Sequence, residues 1–120
     1  MIELRKTNIV LRRVIKELEK ASKQNDAPIW ERVAEELSKP TRRRRAVNLS
    51  RLNRHTVDGD VVVVPGKVLG AGIIDHKITV AAYAFSRTAY DKLLKAGCRV
   101  VSITELVREN PKGSNVKIIG

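Results

Sequence analysis

Few side chains in this 120-residue chain are of a type that carries covalent chemistry. A thiol beside an imidazole would make a nucleophile and its base, and the candidates are Cys98, His55 and His76. Cys98 lies in Gly97-Cys98-Arg99-Val100, which reads as the start of a buried strand, so its thiol is expected to be an inert core group. His55 stands among arginines, where an imidazole can meet phosphate, and His76, between Asp75 and Lys77, reads as a turn residue. One Cys and two His cannot supply a four-ligand Cys/His zinc site. The lone cysteine also excludes an internal disulfide and fits a reducing, cytosolic compartment. The stretch Pro65-Gly66-Lys67-Val68-Leu69-Gly70-Ala71-Gly72 invites a nucleotide reading. A phosphate-binding P-loop needs Ser or Thr after Gly-Lys, where this chain has Val68, and the dinucleotide fingerprint needs glycine where it has Asp75. These glycines are expected to form tight turns or to let another backbone, protein or RNA, come close. No paired carboxylates are evident. The expectation is no catalytic residue, no metal, no cofactor and no small-molecule substrate.

Charge points elsewhere. Lys and Arg number 24 against 13 Asp and Glu, a net charge of +11. Such a surplus repels itself in a folded chain and fits a polyanionic partner. It is uneven: residues 1–25 carry +4, residues 26–40 carry −2, residues 41–56 hold six Arg and no acid, and 57–120 carry +3. With 42% apolar and 31% charged residues the chain is neither a disordered polymer nor a membrane protein. No apolar run approaches the roughly 20 residues of a spanning helix, and the N-terminus lacks the features of a secretory signal.

The elements that must position these charges follow from periodicity. A first helix is predicted from a Thr7 or Asn8 cap to about Ser22 or Lys23, with Leu11, Val14, Ile15, Leu18 and Ala21 on one face. Arg12, Lys16, Lys20 and Lys23 stack on the opposite face, either as a solvated surface or as a phosphate-facing stripe. A second helix is predicted from Asp26 near its cap and Pro28 in its first turn, with Ile29, Val33 and Leu37 inward and Trp30 as a core anchor; Pro40 ends it. Arg42-Arg43-Arg44-Arg45 reads as an exposed loop, followed by a short helix capped by Asn48 with Leu49 and Leu52 inward.

Beyond residue 56 the pattern changes. Val61 to Val64 is a strand suited to burial on both faces; Pro65-Gly66 should break it, and Lys67 to Leu69 should start a second. Ile78 to Phe85 is a third strand, and Ser86 caps a helix to Lys95 with Ala89, Tyr90, Leu93 and Leu94 inward and Gly97 closing it. Cys98 to Ser102, Thr104 to Glu109 and Val116 to Ile119 read as strand, helix and strand. The fold class is mixed α/β: one domain over 1–120, with a helical, basic part (1–56) and a small layered α/β body (57–120).

A basic binding protein with only four aromatic residues is ill suited to stacking single-stranded bases. Arginine-rich loops without aromatics fit folded RNA, recognised through phosphates, 2′-hydroxyls and shape. An architectural nucleic-acid-binding protein is the alternative.

Motifs along nearly the whole chain carry a resemblance: Lys6-Thr7-Asn8, Ile29-Trp30, Val33-Ala34, Lys39-Pro40 into the arginines, Val47 to Arg54, Val62 to Gly70, Val80-Ala81-Ala82, Phe85-Ser86 and Ala96-Gly97. In these the chain resembles the archaeal and eukaryotic "eighteen-e" family of large-subunit ribosomal proteins, relatives of the bacterial fifteenth large-subunit protein. The resemblance implies a non-catalytic constituent of the large subunit in the cytoplasm, bound to large-subunit rRNA and neighbouring ribosomal proteins, with an irregular β-β-α superhelical second half. The absence of a longer C-terminal tail points to the archaeal type. Matching the family's basic motifs, Arg42, Arg43, Arg44, Arg45, Arg51, Arg54 and Lys67 are the first candidates for RNA contact, and Lys6, Arg12 and Lys16 come second. Asn48 and Ser50 match too, either as contacts or as helix caps.

Overall fold

Two long parallel strands organise the molecule: β3 (Val61–Leu69) and β4 (Thr79–Phe85). In this computed structural model the chain is described at residues 2–3, 8–39 and 46–120. The first halves of the pair are flanked by β6 (Val116–Ile118) against β3 and β5 (Arg99–Ser102) against β4, both parallel. The second halves are flanked by β2 (Ala46–Asn48), parallel to β3, and β1 (Ile2–Glu3), antiparallel to β4.

Strands buried on both faces are continuously apolar, and the valine run meets that demand. Val63 joins one core, whereas Val62 and Val64 join the other, and all three are fully buried. The first core lies under α1 (Asn8–Asn25), α2 (Pro28–Leu37) and α5 (Ile103–Glu109); the second lies under α3 (Leu49–His55) and α4 (Arg87–Lys95). Helices therefore cover both sheet faces, as a mixed α/β layered body requires.

Several expectations change in detail. Pro65-Gly66 does not end β3: the strand runs through it, and the pairing with β4 shifts register between Val64 and Lys67. A bulge accommodates a residue without an N–H and a glycine inside a central strand. Asp26 does not start α2. It takes φ +49 and closes α1, with the Ala27 N–H reaching back to the Ser22 carbonyl, a Schellman-type ending that a short polar side chain tolerates. Ala27 occupies the α2 cap position without a side-chain bond.

Trp30 is the expected anchor, fully buried with its indole Nε1 donating to the Pro111 carbonyl at 2.7 Å. Leu94 is not inward: it is 48% exposed, because at the helical period it shares the outer stripe of Arg87 and Asp91. Ser86 caps α4 by accepting from the Ala89 N–H, and Gly97 at φ +83 ends it, as expected. Cys98 is buried, its Sγ 3.4 Å from the His76 carbonyl oxygen.

Candidate nucleic-acid interface

Seven residues of α3 present three different flanks. Leu49 and Leu52 point into the second core and are fully buried. Ser50 and Asn53 turn toward the loop after β3: the Ser50 N–H donates to the Ala71 carbonyl at 3.1 Å, and Asn53 Oδ1 accepts from the Asp75 N–H at 3.1 Å. Arg54, four residues from Ser50, shares that flank. Arg51 and His55 take the third flank and line a concavity with Lys117, Ile118 and Ile119. Ser50, Arg51, Arg54 and His55 are all exposed.

Asn48 precedes the helix at its cap position with extended dihedrals, yet its side chain does not cap. Its Oδ1 accepts instead from the Ala71 N–H at 3.3 Å, so its local reading as a cap yields to a contact made across the fold. Lys67 lies on β3 opposite Ala46, and Leu69, two residues on, pairs with Asn48. The start of α3 and Lys67 thus share one end of the sheet.

The remaining candidates fall elsewhere. Arg12 and Lys16 are exposed on the outer side of α1, which covers the opposite sheet face from α3. Lys6 and Arg42 to Arg45 lie outside the described residues.

Ion pairing divides the cations. Arg99 pairs with Glu109, Arg108 with Glu17 at 3.1 Å, and Lys117 with Asp60 at 2.8 Å. Among the described residues Arg12, Lys16, Arg51, Arg54 and Lys67 have no carboxylate partner, which leaves their charge open to an external anion.

Two features carry no sequence signal. Lys92 Nζ donates to the carbonyl oxygens of Gly70 at 2.8 Å and Gly72 at 2.9 Å, bridging α4 to the loop. His76, expected as a turn residue, is a junction. Its Nδ1 lies 2.9 Å from Asp75 Oδ1 and its Nε2 lies 2.6 Å from Thr56 Oγ1, whose own proton goes to the Leu52 carbonyl at 2.7 Å. Each ring nitrogen thus has a polar partner, Asp75 on one side and Thr56 on the other, which ties the end of α3 to the loop before β4. The Asp75 carboxyl is correspondingly held below its ordinary value, chiefly by the hydrogen bond to His76.

Among the described residues no group of three or more His, Cys, Asp or Glu side chains is placed to hold a metal ion, and no helix is long and apolar enough to cross a membrane. Fold and surface together define a basic α/β module with unpaired cations on its outer helices. A family model described as ribosomal protein 60S L18 and 50S L18e matches residues 2–120, and the chain belongs to this family of large-subunit ribosomal proteins. It is 47% identical over 117 residues to large ribosomal subunit protein eL18 of Methanothermobacter thermautotrophicus, covering 98% of this chain and 97% of that one. It is 44% identical over 119 residues to the eL18 protein of Methanococcus maripaludis, covering 99% of each. To the eL18 protein of Thermoplasma volcanium it is 45% identical over 114 residues, 95% of this chain and 93% of that one. Membership makes the chain a structural protein of the ribosome and not an enzyme.

Proposed function

We propose that this protein binds folded large-subunit rRNA through α3, Lys67 and the arginines that precede β2, and that neighbouring ribosomal proteins complete its surroundings. The carrying observation is the division of the cations. Arg99, Arg108 and Lys117 are paired with Glu109, Glu17 and Asp60, whereas Arg51, Arg54 and Lys67, gathered around one end of the sheet, have no carboxylate partner among the described residues. The four arginines Arg42 to Arg45 join the chain directly before Ala46, which pairs beside Lys67, and this connection adds them to the same contact. Asn48 and Ser50 hold the Gly70–Gly72 loop by its Ala71 peptide, Asn48 through its side chain and Ser50 through its backbone N–H. Arg12 and Lys16 on α1 would meet a second RNA segment, since one surface does not join them to α3.

Each phosphate contact contributes roughly 0.7–0.9 to the slope of log K against log salt. Replacing Arg51 and Arg54 with Ser should flatten that slope by about 1.5 on a large-subunit rRNA transcript, and replacing Arg42 to Arg45 with Ser by about 3. The matched control is Arg99→Ser with Arg108→Ser, which removes two cations already paired within the fold and should leave the slope nearly unchanged. Equal slopes for the Arg51/Arg54 variant and wild type would refute the assignment. Undiminished binding in excess random duplex DNA is expected; full competition by that DNA would favour a general architectural role.

A further inference from the structure

The loop between β3 and β4 buries little at its tip, yet polar bonds fix it from two helices. Residues 71–73 are exposed, and Ile73, a large apolar side chain, is 66% exposed. Lys92 on α4 holds the carbonyls of Gly70 and Gly72, while on the α3 side Asn48 and Ser50 hold both polar groups of the Ala71 peptide. Asn53 holds the Asp75 N–H further along.

Sterics tighten the same fit. A Cβ at Gly72, which has φ +90, would come within 2.8 Å of the Ser50 backbone nitrogen; one at Gly70 would meet Thr88 at 2.7 Å. Surface loops are ordinarily mobile. One held this closely, with an exposed isoleucine at its tip, is suited to meeting a partner without losing conformational freedom on binding. Arg54, which has no carboxylate partner among the described residues, flanks it on α3, which sets the charge of that partner as negative.

Resting on the rRNA-binding reading, we propose that residues 70–73 form a preformed, uncharged part of the RNA contact. Ile73 packs against the sugar and base edges of a folded RNA groove beside the phosphates met by Arg54. Lys92 acts as a positioning residue: its ammonium is engaged by two carbonyls and serves to set the loop. This part of the contact reads shape, which a groove lined by 2′-hydroxyls offers.

The test uses the full chain and a large-subunit rRNA transcript, with affinity measured across a salt series. Ile73→Ser alters a side chain mostly in solvent and should leave the fold intact. It should weaken binding by about tenfold, in line with the apolar area it would bury, and leave the salt slope at the wild-type value. Lys92→Met, which keeps the stem and removes the ammonium, should weaken binding by a similar factor, again with the slope unchanged, and Lys92→Arg should restore part of it. Affinity within twofold of wild type for folded Ile73→Ser overturns the proposal, whatever Lys92→Met does, and would leave the tip for a protein neighbour. A flattened slope for Lys92→Met would make Lys92 a phosphate contact and overturn its positioning role. If wild type and the Arg51/Arg54 variant bind equally while Ile73→Ser binds less, the arginine assignment fails and the loop contact stands. If wild type does not bind the transcript, both fall.

Discussion

Asp60 and Asp75 show how single carboxylates fasten the loops of this protein. The Lys117 ammonium and then the Val57 N–H hold the Asp60 carboxyl below its ordinary value of 3.8, and the bond to His76 does the same for Asp75. A carboxylate whose value is lowered on folding contributes stability that is present above its unfolded value and lost as pH falls through its folded one. Both side chains therefore support the fold at neutral pH, and that support declines below about pH 4 as the pH falls toward and through their lowered folded values. Asp60→Asn and Asp75→Asn should each lower the urea midpoint at pH 6, and their difference from wild type should shrink as pH drops toward 3. A difference that stays constant from pH 6 to pH 3 would count against these pairings. At the same scale, Asn48 illustrates what spacing leaves open: a cap and a cross-chain contact use the same residue types, and only the position of Ala71 decides between them.

Among the elements, α5 is the best defined by its own ends. Ser102 Oγ accepts from the Glu105 N–H at 3.1 Å, and Glu105 Oε1 accepts in return from the Ser102 N–H at 3.4 Å. This reciprocal box satisfies two otherwise unpaired helix donors. The Ser102 hydroxyl also lies 3.1 Å from Thr104 Oγ1 in a buried setting. Ser102→Ala should cost about 1–2 kcal/mol in urea unfolding, and Ser86→Ala, which removes a single-sided cap from α4, about 1 kcal/mol. A loss at Ser102 smaller than that at Ser86 would show that the box adds nothing to the cap. The helices α1, α2 and α4 are readable from apolar period alone, since each buries one face, α1 against α2 and α5, and α2 and α4 against the sheet. Leu94 escaped that reading because α4 is short and packs through the stripe of Ala89 and Leu93.

The whole molecule is held by β3 and β4, whose alternate residues feed both cores. We infer that the two cores unfold as one domain, since neither helix layer has a sheet of its own. Trp30, the single tryptophan, reports from the first core, whereas Val80 belongs to the second. Val80→Ala removes two methyl groups and should cost about 2 kcal/mol. The fluorescence midpoint of Trp30 should shift as far as the circular dichroism midpoint. A Trp30 transition left at its wild-type position would mean that the α1–α2 layer unfolds separately.

Read by itself, the sequence determined what depends on neighbours along the chain. Helix stripes, the Ser86 and Gly97 ends of α4, the doubly buried valine strand and the concentration of positive charge all follow from local period and composition, and its motifs already pointed to the family. Tertiary structure alone decided which charges stay unpaired, because pairing joins residues such as Glu17 and Arg108, or Asp60 and Lys117, that are far apart in sequence. It also decided that Pro65-Gly66 bends a strand without ending it, since the pairing with β4 resumes beyond the bulge. The clamp of Lys92 on the Gly70–Gly72 loop belongs here as well: backbone carbonyls are common to every residue, so no residue type announces that a lysine will find two of them.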